Sequence, residues 1–161
     1  MARGWAIVVG LTILISGCSY GNPVERLSAA CPFMVSPEAS LYLGSGLVML
    51  EQPPASTNYT CDFKRGNETA FGFNVGEFAA RGQSPATLIN SISRRAGGRG
   101  TTAVPGLGDA AVYYELQRRR FAVMTVAKKS GTNIRVITLS AQVPFSQTRL
   151  TALAAVALQR L

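Results

Sequence analysis

In the stretch YTCDFKR, Tyr59, Cys61 and Phe63 occupy every second position, and in ETAFGFNVGEF so do Phe71, Phe73 and Val75. A period of two places such residues on one side of a β-strand, and Gly66-Asn67 between the stretches supplies a hairpin turn. Three further strand-like runs, AAVYYELQ, RFAVMTVAKK and NIRVITLSA, are separated only by an arginine-rich turn and by SGT. Connections that short require antiparallel neighbours, so these runs predict a meander.

Elsewhere the spacing lengthens to that of a helix. In SPATLINSISRRAGG, Ser84 is a suitable N-cap and Pro85 suits the first helical position, while Leu88, Ile89 and Ile92 form an apolar stripe. Arg94 and Arg95 complement the negative helix end before Gly97. In VPFSQTRLTALAAVALQRL, Pro144 ends the preceding strand, Ser146 caps, and Leu150, Leu153, Ala154, Ala157 and Leu161 share one stripe. VSPEASLYLGSG predicts a short helix capped by Ser36, with Pro37 and Glu38 in its first turn and Gly44 at its end. EQPPASTN and RGTTAVPGLGD read as loops. The order helix, two strands, helix, three strands, helix predicts an α+β domain. Its antiparallel sheet would have about five strands, with two or three helices packed on one face.

The beginning of the chain follows a different pattern. MARG is a short positive segment, and WAIVVGLTILIS after it is uncharged and of signal-peptide length, too short for a comfortable membrane span. Ile15-Ser16-Gly17-Cys18 then resembles a bacterial lipobox, in which an aliphatic residue and two small ones precede a lipid-accepting cysteine. The resemblance implies cleavage before Cys18 and diacylglyceryl attachment to its sulfur. That divides the chain into a leader over 1–17, a lipidated cysteine and tether over 18–30, and a single domain over 31–161. Two or more acyl chains anchor a protein stably where one would exchange, since each buried CH₂ contributes about 0.8 kcal/mol. The expected location is the cell envelope, membrane-anchored and facing the periplasm or the exterior.

Export places Cys31 and Cys61 in an oxidising compartment, where a remaining pair of thiols predicts a disulfide. The alternative, a two-thiol metal site, lacks two of its four ligands in a chain without histidine.

Apolar residues make up 47% of the 161 and charged residues 15%, enough to predict a folded core rather than disorder. Sixteen Lys and Arg stand against eight Asp and Glu, and the leader removes only Arg3 from that excess. Arg118, Arg119, Arg120, Lys128 and Lys129 are the candidate contacts to an anionic surface. In a meander the arginines and the lysines fall at opposite sheet ends, which argues against one continuous nucleic-acid track. The expected partners are the membrane through its lipid and another envelope protein or anionic lipid, with no nucleic acid.

Candidate chemistry is sparse. Gly106, Gly108 and Asp109 lie in GLGDAA, which fits the spacing of a dinucleotide fingerprint but follows Pro105 and precedes a strand, not a helix. The glycines there suit backbone angles closed to other residues, and Asp109 suits bonds to local amides. Lys129-Ser130-Gly131 matches one element of penicillin-recognising enzymes, yet no serine has a lysine three residues on, so it reads as a hairpin turn. Without histidine the Ser-His-Asp and Cys-His mechanisms are absent. Among the acids, Glu25 lies in the tether, Glu38 in a helix start, and Asp62, Glu68, Glu77 and Glu115 at strand or turn positions that read as exposed. Asp109 alone sits in a loop of the sort that carries catalysis. No cofactor and no metal are expected.

Cys31, Leu43-Gly44, Cys61-Asp-Phe63, VPGLGDAAVYY and a closing alanine-rich helix ending ALQRL together resemble a broad group of small bacterial lipoproteins and periplasmic domains. The resemblance spans nearly all of residues 31–161. It implies a compact α+β envelope domain and hands on no activity, because its motifs are structural. The expected function is a lipid-anchored envelope protein with a binding or assembly role. A carrier or sensor holding a small apolar or cell-wall ligand between sheet and helices is the alternative, and an envelope enzyme using carboxylates stands third.

Overall fold

The computed structural model describes residues 27–116 and 120–161. The elements run in the order of a short 3₁₀ turn (Cys31–Phe33), α1 (Ser36–Leu43), β1 (Val48–Glu51), β2 (Asn58–Arg65), β3 (Glu68–Ala79) and α2 (Pro85–Arg95). Then follow β4 (Arg99–Ala103), β5 (Ala110–Leu116), β6 (Phe121–Ser130), β7 (Asn133–Gln142) and α3 (Gln147–Leu158). The strands form one seven-stranded sheet in the order β1-β2-β3-β7-β6-β5-β4. Each neighbouring pair is antiparallel. The α+β class and the closing three-stranded meander therefore stand.

Two details of the expected architecture change. The sheet has seven strands rather than about five, because β4 forms from a stretch that reads as a loop and β1 mostly from residues to which the sequence pattern assigns no element. All the residues of both strands are exposed, so neither carries the alternation that marks a half-buried strand. The helices also occupy both faces of the sheet. Phe63, Phe71, Phe73, Met124, Val126, Ile137 and Leu139 pack with Leu150, Leu153, Ala154 and Ala157 of α3 and with Ala39 of α1. The intervening residues Val112, Tyr114, Val123, Ile134 and Val136 point the other way and pack against Ile89 of α2. Six successive residues of β6, Ala122 to Ala127, are consequently buried.

Local chemistry explains where the helices begin. Ser84 Oγ accepts from Thr87 N at 3.1 Å and Ser146 Oγ from Arg149 N at 3.3 Å, as the sequence predicts. Ser36 is instead the first residue of α1, preceded by Val35 as N-cap, and makes no capping bond. The Glu38 carboxylate supplies the cap by accepting from Val35 N at 3.3 Å. Leu161 lies beyond the end of α3 rather than on its stripe. Ala30 is fully buried and Leu27 packs against the core, so residues 27–30 pack with the domain.

Arg160 closes the α1–α3 side. Its Nη1 donates to Glu38 Oε2 at 2.6 Å and to Phe33 O at 3.3 Å, and its Nη2 reaches Glu38 Oε1. This fork lowers the Glu38 carboxyl below its usual range, outweighing the opposing desolvation, and the Val35 N–H adds to the lowering. A carboxyl depressed in the folded state stabilises above its unfolded value, about 4.5, and that contribution is lost as pH falls through the folded value. Glu38→Gln should therefore flatten the acid limb of a stability-against-pH curve, measured by thermal unfolding between pH 3 and 6. An acid limb unchanged by the substitution would assign that limb to other groups. The pair is partly solvent-exposed, so its contribution near neutrality is small.

Candidate functional site

Cys31 and Cys61 form the expected disulfide, with their Cα atoms 5.0 Å apart. Glu51, on β1, pairs directly with Cys61 on β2 and brackets the bridge. Its two carboxylate oxygens accept from Ala30 N and Cys31 N, each at 2.8 Å. The two sulfurs and a Glu51 oxygen lie within 4.8 Å of one another, the spacing of a metal-binding set. The sulfurs are bonded to each other, however, and the carboxylate is occupied by main-chain donors. These atoms brace the turn over the sheet.

The GLGDAA loop is likewise committed to the fold. Asp109 N donates to Ala127 O at 2.9 Å, and Asp109 Oδ2 accepts from Lys129 N at 2.6 Å. The loop thereby clips the start of β5 to the end of β6. Gly108 has φ +61°, and a Cβ there would sit 2.7 Å from Ala127 O and 2.8 Å from Val126 Cγ1. Gly108→Ala should cost about 1–3 kcal/mol, from left-handed backbone strain and from displaced β6 atoms. Urea denaturation would measure it, and a neutral result would mean that the loop yields without cost.

Other acids are similarly engaged. Asp62 accepts from Gln52 Nε2 at 2.8 Å, and Glu115 from the Tyr113 hydroxyl at 3.2 Å. Glu77 was expected to be exposed. It instead lies half-buried against Arg135, with Nε 3.5 Å from Oε2, and also accepts from Asn133 Nδ2 at 2.5 Å. Arg135 is itself buried and donates through Nη1 to Leu161 O at 3.1 Å. Arg135 carries no expectation from the sequence. An Arg two positions into a strand of apolar residues was the available signal, because a cation there must find a partner or be expelled.

Two surfaces stand out once these groups are set aside. The first is β1, an edge strand whose outer side has no strand neighbour among the described residues. Val48 is 67%, Met49 37% and Leu50 44% exposed, and all three lie on this edge. The other edge, β4, is Arg-Gly-Thr-Thr-Ala and carries a register shift between Arg99 and Thr102, two features that discourage strand pairing. Polarity and irregularity guard one edge, while the other is short, regular and apolar.

The second surface is the sheet end holding the 66–67 turn. Arg65 pairs with Glu68, Arg99 with Glu115, and Phe121 with Gln142, so all of these positions reach that end. Arg120 precedes β6 there, and the last turn of α2 brings Arg94 and Arg95. Arg149, in the first turn of α3, lies 5.9 Å over the Phe145 ring. A cleft of about 320 Å³ there is lined by Arg65, Arg149, Tyr42, Glu68 and Gln142. Lys128 and Lys129 sit at the opposite end, as the meander predicts. The structure thus joins Arg120 to the Arg94, Arg95 and Arg99 group and separates it from Lys128 and Lys129. Cys18, Arg118 and Arg119 lie outside the described residues.

The fold and these surfaces define a disulfide-braced α+β domain with a seven-stranded antiparallel sheet between helices. No family model matches the chain, and no curated protein matches it. A crystal structure from Bacteroides thetaiotaomicron VPI-5482 is similar to it with 10% identity and a TM-score of 0.43. That alignment covers 66% of this chain and 40% of the other. No helix among the described residues is long and apolar enough to cross a membrane.

Proposed function

We propose that the protein is a lipid-anchored component of a bacterial cell envelope that acts by binding or assembly rather than by catalysis. The observation that carries the binding role is β1, an edge strand among the described residues on which Val48, Met49 and Leu50 are exposed. An exposed apolar edge promotes association, and a β-strand contributed by another envelope protein would satisfy both its backbone and its side chains. The engaged carboxylates support the same reading, since Glu38, Glu51, Asp62, Glu77 and Asp109 all hold structural partners. The room that a carrier would need between sheet and helices is taken by Phe63, Phe71, Phe73, Leu150 and Leu153, each fully buried.

The anchor and the edge have separate tests. Cys18→Ser should move the protein from the membrane fraction to the soluble fraction and lower its intact mass by the lipid. Continued membrane association would remove the anchor from this reading. A photocrosslinker at Met49 should trap a partner chain in intact cells, while one at Arg81 should not. Recovery of monomer alone from position 49 would count against assembly through this edge.

A further inference from the structure

The arginine end and the start of the described chain lie at opposite ends of the sheet. Leu27 shares a cleft with Thr57, Tyr59, Glu77, Ala79 and Asn133, all near the start of β2, the end of β3 or the start of β7. The arginines gather where β2 ends and β3 begins. Nine to eleven residues of β3 separate the two ends, a distance of about 30–36 Å at strand rise.

The chain between Cys18 and Leu27 has nine Cα steps. Fully drawn out it reaches about 30–32 Å, and as a flexible coil about 16 Å. With Cys18 in the bilayer, standing the domain on its arginine end would require the tether at or beyond its full covalent length. The favoured arrangements keep the Leu27 end, with Lys128, Lys129 and Arg81, near the lipid. The arginine end then points away from it.

Among the described residues the cations at that outer end are Lys64, Arg65, Arg94, Arg95, Arg99, Arg120 and Arg149, six of the seven being arginines, against the acids Glu68 and Glu115. Both ion pairs among the described residues, Arg135 with Glu77 and Arg160 with Glu38, lie elsewhere. Arg65 donates to Leu43 O, and Arg149 rests on Phe145, so these two guanidinium groups are held in place without being neutralised by a carboxylate. Arginine presents a planar fork that pairs with carboxylate and phosphate, whereas lysine acts as a point charge. The cations are also spread over β2, α2, β4, α3 and the approach to β6. That spread suits a ligand with repeated anionic groups better than a single small anion.

We propose that this end is a docking surface for a cell-wall polymer carrying repeated carboxylate or phosphate groups, held by the domain while its lipid sits in the adjacent bilayer. The orientation rests on the proposed anchor at Cys18. The arginine surface itself does not.

The test uses the lipidated mature protein in phosphatidylcholine vesicles, mixed with purified cell-wall sacculi and sedimented at graded salt. Replacing Arg94, Arg95, Arg99 and Arg120 with Gln should weaken cosedimentation more than about tenfold and flatten its salt dependence. Replacing Arg81, Lys128 and Lys129 with Gln should leave it unchanged. Equal weakening by both sets would show that only net charge matters and would overturn the proposal, as would retention of binding by the first set. Preferential capture by phosphatidylglycerol vesicles over sacculi would assign the surface to lipid and also overturn it. Thermal unfolding of each variant guards against misfolding, which the exposure of these side chains makes avoidable. The soluble Cys18→Ser chain separates the two readings. Its arginine-dependent binding to sacculi should persist even if the wild-type chain carries no lipid, whereas loss of that binding would sink the docking surface alone.

Discussion

Replacing Cys31 and Cys61 together with alanine lowers the free energy of unfolding by about 3–4 kcal/mol, the loop-closure value for a bridge spanning 30 residues. For a domain of this size that is a large share of a total of about 5–15 kcal/mol. The bridge joins the 3₁₀ turn to the middle of β2, where Cys61 is fully buried. Without it the turn is still held by the Glu51 contacts to Ala30 N and Cys31 N, by the Arg160 contact to Phe33 O and by the packing of Ala30 and Met34. The measurement is urea denaturation in a Cys18→Ser background, so that the pair accounts for the whole thiol change. A reductant added to the Cys18→Ser parent should give a similar drop. A loss below about 1 kcal/mol would mean that the unfolded chain is already constrained between these positions.

Arg135→Ala should cost about 3 kcal/mol, the low end of the range for breaking a buried ion pair. The arginine side chain is 8% exposed and that of Glu77 20%, so deletion leaves a carboxylate that water reaches only in part. The contact to Leu161 O is lost in the same step, loosening the segment after α3. Desolvation makes the pair itself a modest stabiliser, which sets up a sharper comparison. The double variant Arg135→Met with Glu77→Leu should recover most of the loss, because neither charge is then stranded. If that variant is as unstable as the single alanine, the cost arises from the Leu161 and Asn133 contacts instead.

The parts of the fold legible in the sequence are those where local signals agree with tertiary demand. Ser84-Pro85 and Ser146 place two helix starts correctly because capping and periodicity coincide there. The hairpin over Cys61 to Val75 follows from alternation on a half-buried face. β1 and β4 were illegible because a fully exposed edge strand has no buried face to pattern. The second helical layer had a signal, since the unbroken run Ala122–Ala127 is what a strand covered on both sides looks like. That run was read simply as a strand. The arginine surface could not be seen because its members are separated along the chain, and their union depends on the direction of α2 and the pairing of β4. Ser36 shows the reverse failure, where a good capping residue is displaced by one position and Glu38 takes its role.

The central seam of the sheet also has a kinetic consequence. β3 and β7 pair from Phe71 with Ala141 to Ala79 with Asn133, so the innermost ladder joins segments 54 to 70 positions apart in the chain. Loop closure must precede the reward from such contacts, and folds dominated by distant pairings form slowly. A chain emerging from its N-terminus can make the β1–β2–β3 hairpins early, but the inner edge of β3 stays open until residue 142 is free. Two unsatisfied edges then flank the early sheet, one to be filled by β7 and one that no other described strand covers. The interval before β7 arrives is when wrong strand pairing is most accessible, and a holdase that binds extended apolar segments would act within that interval.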